Sequence, residues 1–98
     1  MKVGAAMISA RRSGSSASMD VLNKYFINRN MMLAGSTNRN IVYGFTAEDV
    51  EKDLEGLQTV RNLARNMSFM IKAIADGKKK YGAPELERGC FTSFPDGK

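Results

Sequence analysis

Apolar and polar positions change period along this chain, and each change marks an element. In residues 2–9, "KVGAAMIS", Val3, Ala5 and Met7 alternate with Gly4, Ala6 and Ile8, so an extended segment is apolar or small on both faces. That pattern predicts a strand over 2–9 covered on both sides, as in parallel α/β sheets. Past a Gly- and Ser-rich stretch the period turns helical. Met19, Leu22 and Phe26 recur at i, i+3 and i+7, with Val21 and Tyr25 widening the stripe. A helix follows, capped by Ser15 or Ser16, reaching Ile27 and ended by Asn28, Arg29 and Asn30.

"MMLAGS", 31–36, reads as a second short strand, with a further brief extended piece at Ile41 to Tyr43. Strand, helix and strand in this order predict a right-handed βαβ crossover. Thr46 opens the clearest pattern. "TAED" is a variant capping box with Asp49 in the reciprocal position. Val50, Leu54, Leu57, Val60, Ala64, Met67, Ile71 and Ile74 then recur at helical spacing up to a stop at Gly77. Acidic residues fill the first turns and basic ones the last, as the macrodipole favours, and Glu48–Lys52 and Asp76–Lys80 are i,i+4 pairs. Gly56 inside this helix predicts a close packing contact. Leu63, Phe69 and Met70 fall outside the main stripe and predict a second apolar face that meets another chain or subdomain.

From Lys78 onward the chain is polar and turn-rich, with Pro84 and Pro95 as breakers and Phe91 and Phe94 able to pin the tail to a surface. At 98 residues the chain is one domain at most, a βαβα core over 1–77 and a polar tail over 78–98. The methionines fall mostly on apolar faces and read as core. Cys90 is the only cysteine and there is no histidine, which excludes a disulfide framework, a CxxC pair, a zinc cluster and any His-based triad. No run approaches the length of a membrane span and the first apolar stretch is too short for a signal peptide, so a cytoplasmic, membrane-free protein is expected. The net charge of +5 admits a polyanionic partner, but the basic residues concentrate at the end of the long helix and no groove-reading motif accompanies them, so nucleic acid is not the expected partner.

The chemistry sits between the first strand and the first helix. "SARRSGS" joins a strand's C-terminal end to a helix N-terminus, where α/β sheets hold anionic cofactors on backbone N–H groups and the positive end of the dipole. Gly14 permits close backbone approach, the serines offer hydroxyls, and Arg11 and Arg12 supply fixed donors. It is neither a GxGxxG nor a Walker loop.

"RRSGSSASMDVLNKYF" and "EGLQTVRNLARNM", together with "IVYG" and the tail "FTSF", resemble the C-terminal half of the flavodoxin-like NAD(P)H-dependent FMN reductases, a family that includes iron-sulfur flavoproteins. The resemblance implies a flavodoxin-like α/β fold present as a partial parallel sheet, β-α-β-α, with a long C-terminal amphipathic helix. It implies FMN as cofactor, NAD(P)H as electron donor, and cofactor contacts from Ser9, Ala10, Arg11, Arg12, Ser13, Gly14 and Ser15, centred on Ala10 to Gly14. The family's phosphate-binding loop belongs to an N-terminal half that this sequence does not contain, and the cluster cysteines are missing. Asn38 and Arg39 stand where such proteins often carry an aromatic pair.

Two strands and two principal helices leave sheet edges unpaired, so a partner is expected: a second copy forming a homo-oligomer, or a separate chain supplying the N-terminal half. The alternative is a non-catalytic association module, or a truncated fragment, that keeps the scaffold without the cofactor.

Overall fold

The computed structural model describes residues 1–92, and is mixed α/β with short parallel strands and a long C-terminal helix. The doubly apolar opening forms two strands, β1 (Val3–Gly4) and β2 (Ile8–Ala10), not one run over 2–9. Helix α1 spans Ser15–Ile27. Strand β3 (Met32–Leu33) pairs in parallel with β1, and β4 (Ile41–Tyr43) pairs in parallel with β2. The register explains the interruption. Val3 stands opposite Met32 and Ile8 opposite Ile41, so the first line advances from 3 to 8 while the second advances from 32 to 41. Residues 34–40 loop out, Ala5 to Met7 lose their ladder, and the strand expected over 31–36 shortens to two residues.

Every ladder bond of the opening segment lies on one edge. The Lys2 carbonyl accepts from Met32 N–H (2.8 Å), Gly4 from Ala34 (2.9 Å) and Ala10 from Gly44 (3.0 Å), while Ile8 N–H donates to the Asn40 carbonyl (2.9 Å). These are even-numbered residues, and backbone groups alternate edges along a strand. Val3, Ala5, Met7 and Ser9 therefore face the other edge, which no strand among the described residues occupies.

The even face also carries the side chains that meet α1. Ala6, Met19 and Ile41 form a buried cluster with Ile8 and Phe26 against it, and a Cβ added to Gly4 would stand 2.7 Å from the Phe26 ring. Here glycine lets the helix lie close on the strand. Of the stripe read for α1, Met19 is buried and Phe26 half-buried, while Val21, Leu22 and Tyr25 are exposed. The methionines follow the same division: Met19 packs inside, and Met7 and Met32 are exposed, contrary to a core role for all of them.

The capping box at Thr46 forms as expected, Thr46 Oγ1 accepting from Asp49 N–H and the Asp49 carboxylate from Thr46 N–H, both at 3.3 Å. The helix it starts is short: α2 covers Ala47–Lys52, and α3 begins afresh at Leu54 and runs to Tyr81. Asp53 breaks the run because its carboxylate accepts from Gly56 N–H (3.0 Å), capping α3. The break resets the helical phase. Gly56, Thr59 and Leu63 become the buried line, whereas Leu54 and Ile71, expected on the packed stripe, are 74% and 53% exposed. Leu63, expected on a secondary face, is the most buried apolar side chain at 2%. Gly56 does make the predicted close approach, its Cα facing the Ile41 carbonyl. Helix α3 passes through Gly77 and stops at Gly82, whose φ of 76° ends it. The ion pair formed is Lys52–Asp49 at 3.6 Å, in place of the expected Glu48–Lys52 and Asp76–Lys80.

Val3, on the odd face, shares a groove with Ile71 and Ile74 of α3, so α1 and α3 cover opposite faces of the strands. Beyond Tyr81 the described tail has no regular structure and Phe91 is 87% exposed, so that residue does not pin it; Phe94 and Pro95 lie outside the described residues. No helix among the described residues is long and apolar enough to cross a membrane.

Candidate functional site

Strand β2 ends at Ala10, and the chain turns through exposed Arg11 to Gly14 into α1. Gly14 takes the N-cap position at φ 83°, a left-handed conformation that a residue with Cβ enters only with strain. Neither Ser15 nor Ser16 caps the helix, in contrast to the expectation. Gly14 leaves the first-turn N–H groups without a side-chain acceptor. Ser18 Oγ instead donates back to the Gly14 carbonyl at 3.0 Å.

The serine hydroxyls are used to fix the loop. Ser15 is buried at 4% exposure, and its Oγ lies 3.2 Å from the Tyr43 hydroxyl at the end of β4. Arg39 donates from Nη1 to Ser16 Oγ. Arg11 lays its guanidinium 4.2 Å above the centre of the Phe45 ring, a cation–π contact that holds both side chains flat. Arg12 is exposed and enters no hydrogen bond or ion pair with the described residues.

All seven residues from Ser9 to Ser15 come together, lining one open groove of about 460 Å³ with Ile8 and Ser18. A smaller recess of about 120 Å³ lies on the other side of Tyr43, bounded by Arg39, Asp53, Glu55 and Gly56 among others. Asp53 ties that side together. Its Oδ2 accepts from Tyr43 N–H at 2.8 Å while Oδ1 caps α3, and these N–H groups, Gly56 first and Tyr43 second, hold its carboxyl below the usual carboxylate range. Asn38 bonds Glu55 at 3.0 Å, and so reaches α3 and not the loop.

The sequence marks the loop but gives no site signal for Phe45, Arg39 and Asp53, and Tyr43 reads from it as a packing residue. Tyr43 follows directly from the parallel register of β4 against β2, which places its end beside the end of Ala10. The Arg11–Phe45 contact had no signal in spacing, because it joins residues brought together only by the sheet.

The groove offers an open shelf without a Cβ at Gly14, first-turn helix N–H groups with no side-chain acceptor, and an unengaged guanidinium in Arg12. It does not supply a phosphate-binding loop: among the described residues no second Gly- or Ser-rich loop lines this groove. Nor do three His, Cys, Asp or Glu side chains gather to hold a metal among the described residues. Comparison with models of known protein families, with curated proteins and with solved structures finds no match to this chain.

Proposed function

We propose that this chain is one part of a flavin-dependent, NAD(P)H-oxidising protein of the flavodoxin-like FMN reductase type, and that it holds the ring end of FMN in the Ser9–Ser15 groove, alone and more tightly once further polypeptide completes the sheet. The observation that carries the reading is the convergence of all seven residues on a single groove at the C-terminal ends of parallel β2 and β4, the position where open α/β sheets bind ligands. FMN, when bound, supplies acceptance of hydride from NAD(P)H. The chain's own contribution is electrostatic and positional: the first-turn N–H groups of α1 and the Arg12 guanidinium place positive charge at the groove, and Ser15, Tyr43, Arg11 and Phe45 keep the loop in shape.

Titration of the purified chain with FMN, read by quenching of flavin fluorescence, tests the reading. Saturable quenching that weakens on Arg12→Ala is expected; a chain that takes up no FMN with its α3 helix intact refutes it. The second reading, an association module without cofactor, is favoured by the exposure of Leu54, Phe69 and Ile71 on α3. It predicts that same colourless outcome together with a stable complex.

A further inference from the structure

The opening segment is built as an interior strand but is bonded on one side only. Val3, Ala5, Met7 and Ser9 point their N–H and C=O groups to an edge that no strand among the described residues occupies, and Met7 is 56% exposed there. Apolar side chains frame this edge on both faces. On α1, Asp20 and Asn23 face the 33–40 side, so helical geometry puts Leu22 and Tyr25, 41% and 60% exposed, on the opposite flank. On α3, Ile71, Ile74 and Ala75 line an apolar groove of about 420 Å³ with Val3, and Lys2 and Lys78 form its rim. Among the described residues neither lysine is in an ion pair, and Lys78 Nζ donates only to the Met1 carbonyl, at 3.3 Å.

The charges choose among occupants. A second copy would meet this edge about a two-fold axis, antiparallel, with Val3 opposite Ser9 in the full-overlap register, and would bring Lys2 of each chain toward Ala10 to Arg12 of the other. Like charges would converge at both ends with no carboxylate between them. A strand of different sequence avoids this. The even face of the segment packs on α1 and its Val3 end lies against α3, so apolar side chains with helices on both sides mark it as a parallel strand.

We infer that the Val3–Ser9 edge receives a parallel, apolar strand from polypeptide outside residues 1–98 that enters beside Lys2 and Lys78 with a carboxylate at its N-terminal end. Main-chain bonds to the odd-numbered residues give the affinity, and the Ile71 groove takes an apolar side chain of the incoming strand. The inference rests on the partner in the reading above and makes no use of the flavin.

The test uses the full chain, isotope-labelled, and three synthetic acetylated octapeptides: Asp-Val-Val-Ile-Val-Ile-Val-Thr, the reversed sequence, and the first sequence N-methylated at alternate amides on its bonding edge. The first peptide is expected to shift and slow hydrogen exchange at the amides of Val3, Ala5, Met7 and Ser9. The reversed peptide and the Lys2→Glu/Lys78→Glu chain should each bind about tenfold more weakly, and the N-methylated peptide not at all. Equal binding of forward and reversed peptides overturns the inference, as does binding of none. Edge amides already protected in a concentration-dependent dimer would assign the edge to a second copy and overturn it as well. FMN titration on the same sample separates the two readings: peptide binding without flavin uptake leaves this inference standing alone, and flavin uptake without peptide binding removes it and spares the cofactor site.

Discussion

Gly56 and Gly77 occupy the same helix, the first packed against its cap and β4 and the second in open space, which makes them an informative pair. Replacing a helix-interior glycine by alanine stabilises by about 0.5–1 kcal/mol where the backbone is ordinary and the Cβ has room. At Gly77 a Cβ meets nothing within 4 Å, so Gly77→Ala should gain that amount in full. At Gly56 a Cβ would collide with the Asp53 carboxylate, standing 2.8 Å from its Cγ, and would sit 3.0 Å from the Ile41 carbonyl oxygen. Relief requires either that Asp53 swing away, giving up the cap of α3 and the bond to Tyr43 N–H, or that α3 withdraw from β4. Overpacking of this kind costs about 1–3 kcal/mol, and because Gly56 in the first turn gains no more from alanine than Gly77 in the interior, that cost is the least difference between them. For a domain of this size the gap corresponds to at least about 4 °C in melting temperature. Thermal unfolding followed by circular dichroism of both variants measures it. A Gly56→Ala chain that melts at or above Gly77→Ala would show that Gly56 is not a point of close approach, and that the phase of α3 against β4 is not set there.

Asp53 has a depressed carboxyl pKa in the folded chain, so its contribution is present above the unfolded carboxylate value near pH 3.9 and is lost as pH falls through the folded value. Asp53→Asn should flatten the loss of melting temperature on the acid side while leaving the neutral melting temperature closer to that of the natural chain than Asp53→Ala does. Tyr43→Phe removes the hydroxyl partner of buried Ser15, and unfolding titrations should show a loss of about 0.5–1.5 kcal/mol together with weaker flavin quenching; unchanged quenching would detach Tyr43 from the site. On the proposed reading only the ring end of the cofactor is held, so riboflavin should bind within about threefold of FMN, and a large preference for FMN would reveal a phosphate cradle in this chain after all.

What could be read in the sequence was local. The helix over Ser15–Ile27, the box at Thr46 and the loop Ser9 to Ser15 each depend on neighbours within a few positions, and each appears where its residues put it. The phase of α3 was not legible, because it depends on Asp53 choosing Tyr43 N–H and Gly56 N–H over continuation of the helix, and Tyr43 reaches Asp53 only through the sheet. Leu63 therefore looked peripheral and Ile71 central, when packing has them the other way round. The split of the first strand was hidden for the same reason: nothing in "KVGAAMIS" itself records that its neighbour loops out over 34–40. The Arg11–Phe45 and Ser15–Tyr43 contacts likewise join residues distant in sequence.

The open edge and the loop share one segment, which links the two proposals. A parallel strand entering beside Lys2 advances about 3.3 Å per residue and draws level with Ser9 after roughly seven residues. Its C-terminal end then lies beside the Ser9–Gly14 groove, closing the side that is now open to solvent and strengthening the field of the α1 N-terminus within it. Flavin affinity should therefore rise when the peptide with Asp at its N-terminus occupies the edge, and the peptide's affinity should rise by the same factor when FMN is bound, since coupling between two equilibria is reciprocal. Titrating FMN at saturating and zero peptide, and peptide at saturating and zero FMN, measures both factors independently. Two factors that agree and exceed one place the incoming strand against the wall of the groove. Two factors equal to one would mean that the edge and the loop, though covalently continuous through Ser9 and Ala10, do not serve the same site.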